Sequence, residues 1–208
     1  MTGTQITKEK ILYTAIDLFS EKGYKEITVR KIAKQVGIKA SSIYKHYKNK
    51  EDILNSIFEL FRHEMNRSAV IDKPLGKIYP NISIKDYLDK SYEVFKTVMW
   101  TPLTMKIAKI INIEQQRDES VRAFFIEELI DKPNLILKNV LESMIENKIL
   151  APIDAEAAAR EYNAYIIFLY YEQNFLKQSP CLEEIDIKMK KHNEFFIENI
   201  LKDVRTIK

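Results

Sequence analysis

Apolar side chains recur at every third or fourth position along most of the chain, which is the spacing of one face of an α-helix. The pattern begins after Thr7, a residue type suited to an N-cap, and predicts a helix that ends near Lys22. Gly23 follows directly, and glycine most readily adopts the left-handed conformation that ends a helix. The apolar face of this first predicted helix consists of Ile11, Ala15, Leu18 and Phe19.

Two shorter helices are predicted next, with a turn of a few residues between them. Thr28 is the predicted cap of the first, and Gly37 ends it. The second lies between Gly37 and Asn49, with Ile43 and Tyr47 on its inner side. Two short helices joined in this way form a helix-turn-helix unit, whose second helix enters the major groove of DNA. The apolar face of the first short helix is formed by Val29, Ile32, Ala33 and Val36.

The outer face of the second short helix is polar and basic. Its short hydroxyls would let the helix approach base edges, and its longer side chains are hydrogen-bond donors. Lys50 begins the following helix, where free backbone N–H groups also favour a phosphate. The outward residues of the short helix are Ser41, Tyr44, Lys45 and Lys48.

Charge is distributed unevenly along the 208 residues. Residues 1–50 carry 11 Lys and Arg against 4 Asp and Glu, whereas the remaining residues carry 22 against 26. A basic amino-terminal part attracts polyanions through its summed field. A solvated charged face would show the same composition, so charge alone leaves both interpretations open.

The segment TVRKIAKQVGIKASSIYKHYKNKEDIL resembles the amino-terminal domain of the TetR/AcrR transcriptional regulators. The resemblance extends over about residues 7 to 54 and includes AIDLFSEKGYKEITVRKIAKQVGI. It implies an all-helical transcriptional repressor that binds double-stranded DNA as a dimer. The carboxy-terminal domain of such a repressor binds a small-molecule effector and dimerises.

The resemblance also implies roles for individual residues of the amino-terminal domain. Thr28, Tyr44 and Lys50 match positions that contact phosphates. Arg30, Ser41 and Ser42 match positions that face base edges. Lys39 and Lys45 add positive charge to the same segment. They are assigned neither to base contacts nor to phosphate contacts.

We therefore expect an all-α fold, with a three-helix DNA-binding domain at residues 1–50 and a helical ligand-binding and dimerisation domain at residues 51–208. Only four glycines and six prolines occur, which favours helices over a turn-rich β architecture. No apolar run approaches the roughly 20 residues of a membrane span. Further helices are predicted near residues 50–66, 84–99, 102–116, 119–131, 133–147, 154–178 and 183–205.

The helix predicted at 154–178 has two apolar stripes, and such a helix is buried on more than one side. One stripe is Ala158, Tyr162, Tyr165 and Leu169, and the other is Ala164, Phe168, Tyr171 and Phe175. The helix near 183–205 repeats the pattern. We expect these two helices to form a homodimer interface, although a central helix of a monomer would also explain the pattern.

Aromatic and methionine side chains are frequent on the helices of residues 84–176. Such side chains form adaptable walls for apolar ligands, but they serve equally well as plain core. The residues predicted to bind a small apolar effector are Tyr92, Phe95, Met99, Trp100, Met105, Phe124, Tyr162 and Tyr165.

The sequence gives no support for several other functions. A single cysteine, Cys181, cannot form an internal disulfide and fits a reducing cytoplasm, and no signal peptide is recognised. The three histidines lack metal-ligand spacing, so no metal or cofactor is expected, and no enzyme motif is found. The remaining alternative is a helical small-molecule-binding or scaffold protein with a vestigial helix-turn-helix.

Overall fold

A computed structural model describes residues 3–68, 83–177 and 179–201, and every regular element in them is a helix. This confirms the predicted all-α fold. Two π-helical segments, Ile126–Asp131 and Glu172–Leu176, directly follow α7 and α9. The helices are α1 (Gly3–Lys22), α2 (Val29–Val36), α3 (Ala40–Ile43), α4 (Lys50–Ser68), α5 (Ile84–Met99), α6 (Pro102–Glu114), α7 (Glu119–Phe125), α8 (Lys132–Glu146), α9 (Ala155–Tyr171) and α10 (Leu182–Asn199).

The helices form two compact units. The first comprises Met1–Arg67 and Val98–Phe125, and the second comprises Ser68–Thr97 and Ile126–Lys208. In the first unit, α1 packs against α2 and α6, and α2 packs against α3. The sequence instead predicted two functional domains, a DNA-binding domain at residues 1–50 and a ligand-binding and dimerisation domain at residues 51–208. That functional division stays a prediction. Residues 202–205 of the last predicted helix lie outside the described residues.

The predicted ends of the short helices are confirmed. The hydroxyl of Thr28 accepts a hydrogen bond from the Lys31 N–H at 3.2 Å and caps α2. Gly23 and Gly37 both have φ of +81°, the left-handed conformation in which a side chain would be strained. These three positions therefore fix where α1 ends and where α2 begins and ends.

The predicted start of α1 at Thr7 was wrong, because the helix begins at Gly3. The Thr7 hydroxyl instead donates a hydrogen bond to the Gly3 carbonyl at 2.9 Å. A threonine inside a helix commonly bonds the carbonyl four residues back, and no proline precedes it to stop the helix.

The core of the first unit contains the predicted apolar stripes. Ile11, Ala15 and Phe19 of α1 are buried, whereas Leu18 is half-buried. The other buried residues of these predicted faces are Ile32, Ala33 and Val36 of α2, Ile43 of α3, and Tyr47. Burying these side chains is what orients α2 and α3 on α1, so the outer faces of both short helices point away from the core.

The second unit has its own core, in which α9 packs against α8 and α10. Its buried side chains include Leu88, Leu141, Ala159, Leu169, Met189 and Phe196. Within the described parts of the chain, no helix is long and apolar enough to cross a membrane.

Candidate nucleic-acid interface

The position of α3 is fixed by the two residues that point inward. Ile43 is fully buried, and the hydroxyl of Tyr47 donates a hydrogen bond to the Lys8 carbonyl of α1 at 3.2 Å. Burial, with the nearby Asp52 and Glu9 carboxylates, raises the pKa of Tyr47 to about 12. The phenol therefore stays protonated at neutral pH, and it anchors the end of the α3 segment to α1.

Most of the predicted DNA-contacting side chains are exposed on α2, on α3 and in the short segments that flank these two helices, which pack against each other. Ser42 is half-buried, and it is followed by the inward-pointing Ile43. The exposed set combines four positive charges with hydroxyl donors, which suits both phosphates and base edges. The exposed residues are Thr28, Arg30, Lys39, Ser41, Tyr44, Lys45 and Lys48.

Thr28 keeps a free donor although it caps α2. Its oxygen accepts from the Lys31 N–H, but the hydroxyl hydrogen is not used in that bond. Because Thr28 is exposed, this hydrogen can be donated to a phosphate oxygen outside the protein. The same residue can therefore end the loop before α2 and contact DNA.

The beginning of α4 is fixed by a capping arrangement that involves Asn49 and Asp52. The Asp52 N–H donates to Asn49 Oδ1 at 2.7 Å, and Asp52 Oδ2 accepts from the Lys48 N–H at 2.8 Å. The carboxylate is thus bound to the helix terminus, where the macrodipole favours negative charge. The arrangement also holds the backbone of Lys48, while its side chain remains exposed.

Lys50 has internal partners that its position in the sequence did not reveal. Its ammonium donates to the Tyr24 carbonyl at 2.9 Å and to the Ile27 carbonyl at 3.0 Å. The same Nζ lies 4.0 Å from the centroid of the Tyr24 ring. An ammonium has three N–H donors, so one remains for a phosphate. Lys50 is therefore a contact with the loop between α1 and α2 as well as a predicted DNA contact.

The environment of Lys50 contains opposing influences on its charge. Partial burial lowers the pKa of the ammonium, and the nearby Glu114 carboxylate raises it. Glu114 belongs to α6 and is buried. The charge of Lys50 is thus balanced by an acid that lies 64 positions further along the chain.

The residues predicted to bind an effector are divided between the two units. Met99, Trp100, Met105 and Phe124 belong to the first, and Tyr92, Phe95, Tyr162 and Tyr165 to the second. Phe124 is buried, and its ring stacks on Phe58 with centroids 4.5 Å apart. Met99 is also buried, and Phe95, Trp100 and Met105 are half-buried.

The tyrosines of the second unit have partners inside that unit. The Tyr92 hydroxyl donates to Asp186 Oδ1 at 2.7 Å, and the Tyr162 hydroxyl donates to Asn193 Oδ1 at 2.9 Å. Burial raises the pKa of both phenols well above the usual range. The ring of Tyr165 stacks on His192 with centroids 4.2 Å apart. The hydroxyls of Tyr92 and Tyr162 are thus hydrogen-bonded within the fold, and the effector site stays a prediction.

Comparison with known proteins agrees with this arrangement of helices. Residues 11–57 match the family model described as bacterial regulatory proteins, tetR family. This range contains α2, α3 and the start of α4. The amino-terminal part of this chain is thus similar to the TetR family.

Two curated relatives are similar to this chain mainly in its amino-terminal part. The HTH-type transcriptional regulator YerO of Bacillus subtilis is 33% identical over 90 residues, which are 43% of this chain and 31% of the relative. The negative transcriptional regulator IcaR of the biofilm operon icaADBC in Staphylococcus epidermidis is 52% identical over 52 residues, 25% of this chain and 28% of the relative. The match thus spans less than a third of either relative's length.

The similarity of fold extends much further than the similarity of sequence. A TetR family transcriptional regulator from Pseudomonas syringae pv. tomato has a TM-score of 0.71 at 16% identity, with 96% of this chain and 98% of that chain covered. At this identity the likeness concerns the fold alone. It includes both the helix-turn-helix and the helices that follow it.

Proposed function

We propose that the protein is a DNA-binding transcriptional repressor that acts as a homodimer and is released from its operator by a small apolar molecule. The observation that carries the proposal is the exposed, basic and hydroxyl-rich surface formed by α2, α3 and the segments that flank them. Ile43 and Tyr47 support this surface from within. The TetR family match covers the same residues.

In this proposal α3 enters the major groove, and its flanking residues bind the backbone. Arg30, Ser41 and Ser42 face base edges, whereas Thr28, Tyr44 and Lys50 contact phosphates. Lys39, Lys45 and Lys48 supply the positive field that attracts DNA and makes binding dependent on salt. Arg30 lies on α2, Ser41 and Ser42 lie on α3, and Lys50 begins α4, whereas the other residues of this set lie in the segments that flank these helices.

The homodimer is supported by the apolar surface of α9 and α10. Phe168 on α9 and Phe195 on α10 are both largely exposed, although the opposite sides of these helices are buried in the second unit. Exposed apolar side chains on two helices that pack together are favourable to cover, and contiguous patches of them are typical of interaction sites. A two-fold dimer would present two copies of α3 and would require a palindromic operator.

Repression and effector release are the finer parts of the proposal. Repression is supported by IcaR, whose name states a negative regulator and which is 52% identical in the matched segment. Release is supported by the many aromatic and methionine side chains beyond residue 84. An effector can shift the dimer between two arrangements only as far as its affinity for the two differs.

The test of the proposal is selection of DNA fragments by the purified protein. We expect one palindromic consensus and an affinity that falls steeply with salt concentration. Arg30→Ala and Ser41→Ala should each change the preferred bases, with about 1–3 kcal/mol lost for a bidentate arginine contact and less for the serine. An identical consensus for wild type and both variants would contradict the assignment of the base-reading face. Absence of any salt-dependent binding would instead favour the vestigial helix-turn-helix.

A comparison of Lys48→Ala with Lys50→Ala separates DNA contact from internal structure. Both variants should reduce the salt slope of DNA binding by about one unit, because each removes one positive charge that neutralises DNA phosphate. Only Lys50→Ala should also lower the free energy of unfolding, by about 1–3 kcal/mol, since its carbonyl hydrogen bonds are lost.

Binding measured at several salt concentrations, together with urea unfolding, gives both quantities. Lys48 is the matched control because its side chain is exposed and lies only two residues away. If Lys50→Ala lowers the stability but leaves the salt slope of DNA binding unchanged, Lys50 has a structural role only and does not contact DNA.

A further inference from the structure

Tyr24 lies in the loop between α1 and α2. Both of its backbone polar groups form hydrogen bonds with charged side chains, one acidic and one basic. Its N–H donates to Glu114 Oε1 at 3.1 Å, and its carbonyl accepts from Lys50 Nζ at 2.9 Å. Its ring lies under the Lys50 ammonium and meets Phe19 edge-on, with ring centroids 5.1 Å apart. We call these residues the Glu114–Tyr24–Lys50 cluster.

Glu114 is an unusual residue for this position, because it is a carboxylate with only 2% of its surface exposed. Burying an acid is costly unless hydrogen bonds or a cation compensate for the lost water. A methyl group added at Gly23 would lie 3.7 Å from Glu114 Oε1, so the carboxylate packs closely against the loop. The Tyr24 N–H and the Lys50 charge are the compensating groups that the structure provides.

The backbone that carries Glu114 is itself fixed. Its carbonyl accepts hydrogen bonds from the N–H groups of Arg117 and Asp118, each at 2.9 Å. These bonds stabilise the turn that ends α6, and the bond from the Tyr24 N–H joins that turn to the loop. The buried carboxylate is therefore part of the packed fold rather than a mobile surface charge.

The cluster determines where two predicted phosphate contacts stand relative to each other. The Ile27 carbonyl, the second partner of Lys50, directly precedes Thr28, and the Ile27 side chain is buried. Thr28 begins α2 and Lys50 begins α4, so the loop and the ammonium link the starts of these two helices. A change at Tyr24 would therefore alter the spacing of the donors at Thr28 and Lys50.

We propose that Glu114 is a positioning residue for DNA binding, which holds Tyr24 and Lys50 in the arrangement that lets Thr28 and Lys50 contact phosphates together. This inference rests on the proposed function. It also assigns to a residue of α6, far beyond the helix-turn-helix in the sequence, a direct part in the geometry of that domain.

The sign of the effect distinguishes this role from simple electrostatics. A carboxylate near a DNA surface repels phosphates, so removing its charge should tighten binding if charge alone mattered. Loss of a positioning residue should weaken binding instead, because the two donors no longer fit together. The direction of the change in affinity therefore decides between the two explanations.

The experiment compares Glu114→Leu and Glu114→Gln with Asp17→Asn. Asp17 of α1 forms an ion pair with Lys106 of α6 at 2.6 Å, and because that pair is exposed, it serves as a matched control. Two quantities are measured: the affinity for the selected operator at one salt concentration, and hydrogen exchange of the Tyr24 amide in the free protein. Glutamine keeps an acceptor of the same shape, so this variant preserves the comparison if leucine prevents folding.

We expect Glu114→Leu to weaken operator binding and to accelerate Tyr24 exchange, each by about tenfold or more, because a charge-assisted hydrogen bond is lost. Glu114→Gln should lie between this variant and wild type, and Asp17→Asn should stay within about twofold of wild type.

Faster exchange with unchanged or tighter DNA binding would overturn the positioning role. Unchanged exchange in Glu114→Leu would overturn it as well, since the loop would then not depend on the carboxylate. A wild-type protein that selects no operator would overturn the proposed function itself, a result that is distinct from either outcome.

Discussion

Replacing Phe168 and Phe195 with lysine should convert the homodimer into a monomer. Both rings are largely exposed on the second unit, at 59% and 60% of their surface, and both lie on the helices proposed to meet at a two-fold axis. Burying one large apolar side chain is worth about 1.5–3 kcal/mol, and each position occurs twice in a symmetric dimer. We therefore expect the dissociation constant to rise by about four orders of magnitude or more.

Sedimentation velocity over a range of micromolar concentrations measures this change directly. Tyr13→Lys is the control, because Tyr13 is an exposed aromatic residue of α1 in the first unit. This variant should sediment like wild type. If the variant with both Phe168 and Phe195 replaced by lysine remains dimeric, the interface lies elsewhere on the protein. If the wild-type protein is monomeric, the proposed dimer is contradicted.

Truncation of Phe61 to alanine should destabilise the protein by about 3–5 kcal/mol, since it leaves a cavity in a closely packed core. Phe61 lies on α4 and is fully buried, with its ring centroid 6.0 Å from that of Phe124. Phe124 also stacks on Phe58, so three rings from α4 and α7 support one another. The loss should therefore include contacts that neighbouring rings cannot easily replace.

Urea unfolding followed by circular dichroism gives the free energy of this change. Tyr13→Ala provides the comparison, because it removes an aromatic ring of similar size from an exposed site. We expect that control to change stability by less than about 0.5 kcal/mol. A Phe61→Ala variant as stable as the control would mean that the ring cluster contributes little to the fold.

The ends of the short helices could be predicted because they depend on residues that are close in sequence. Thr28 and Asn49 accept hydrogen bonds from N–H groups three residues further on, and Gly23 and Gly37 follow the helices they end. The same locality explains the error at Thr7. A threonine hydroxyl can cap a helix by accepting from a later N–H, or it can donate to the carbonyl four residues earlier within a helix. The Thr7 hydroxyl does the second, and the helix begins before it.

Contacts across long separations in sequence could not be predicted from the pattern. Lys50 bonds Tyr24 and Ile27, and Glu114 bonds an amide 90 positions away. Periodicity shows which side of a helix is apolar, but it does not show which helix covers that side. It therefore indicated the outer face of α3 and gave no indication that an acid of α6 supports the loop before α2.

The two stripes predicted on the helix at 154–178 differ in burial, and the difference is informative. Ala158, Tyr162 and Leu169 are buried, and Tyr165 is half-buried, whereas Ala164 and Phe168 are exposed, and Tyr171 and Phe175 are half-buried. The sequence could show that both faces are apolar. Only the packing of α9 against α8 and α10 shows which face is the more exposed.

The π-helical segment Glu172–Leu176 also affects how relatives should be aligned with this chain. A π-turn holds one residue more than an α-turn, so it behaves like a single inserted residue within a helix. Each residue of an α-helix advances the side chains by about 100°, so Phe175 does not continue the stripe through Phe168 as an uninterrupted helix would predict. In a relative that is one residue shorter here, the gap belongs inside this segment, and the register of α9 before it is unchanged.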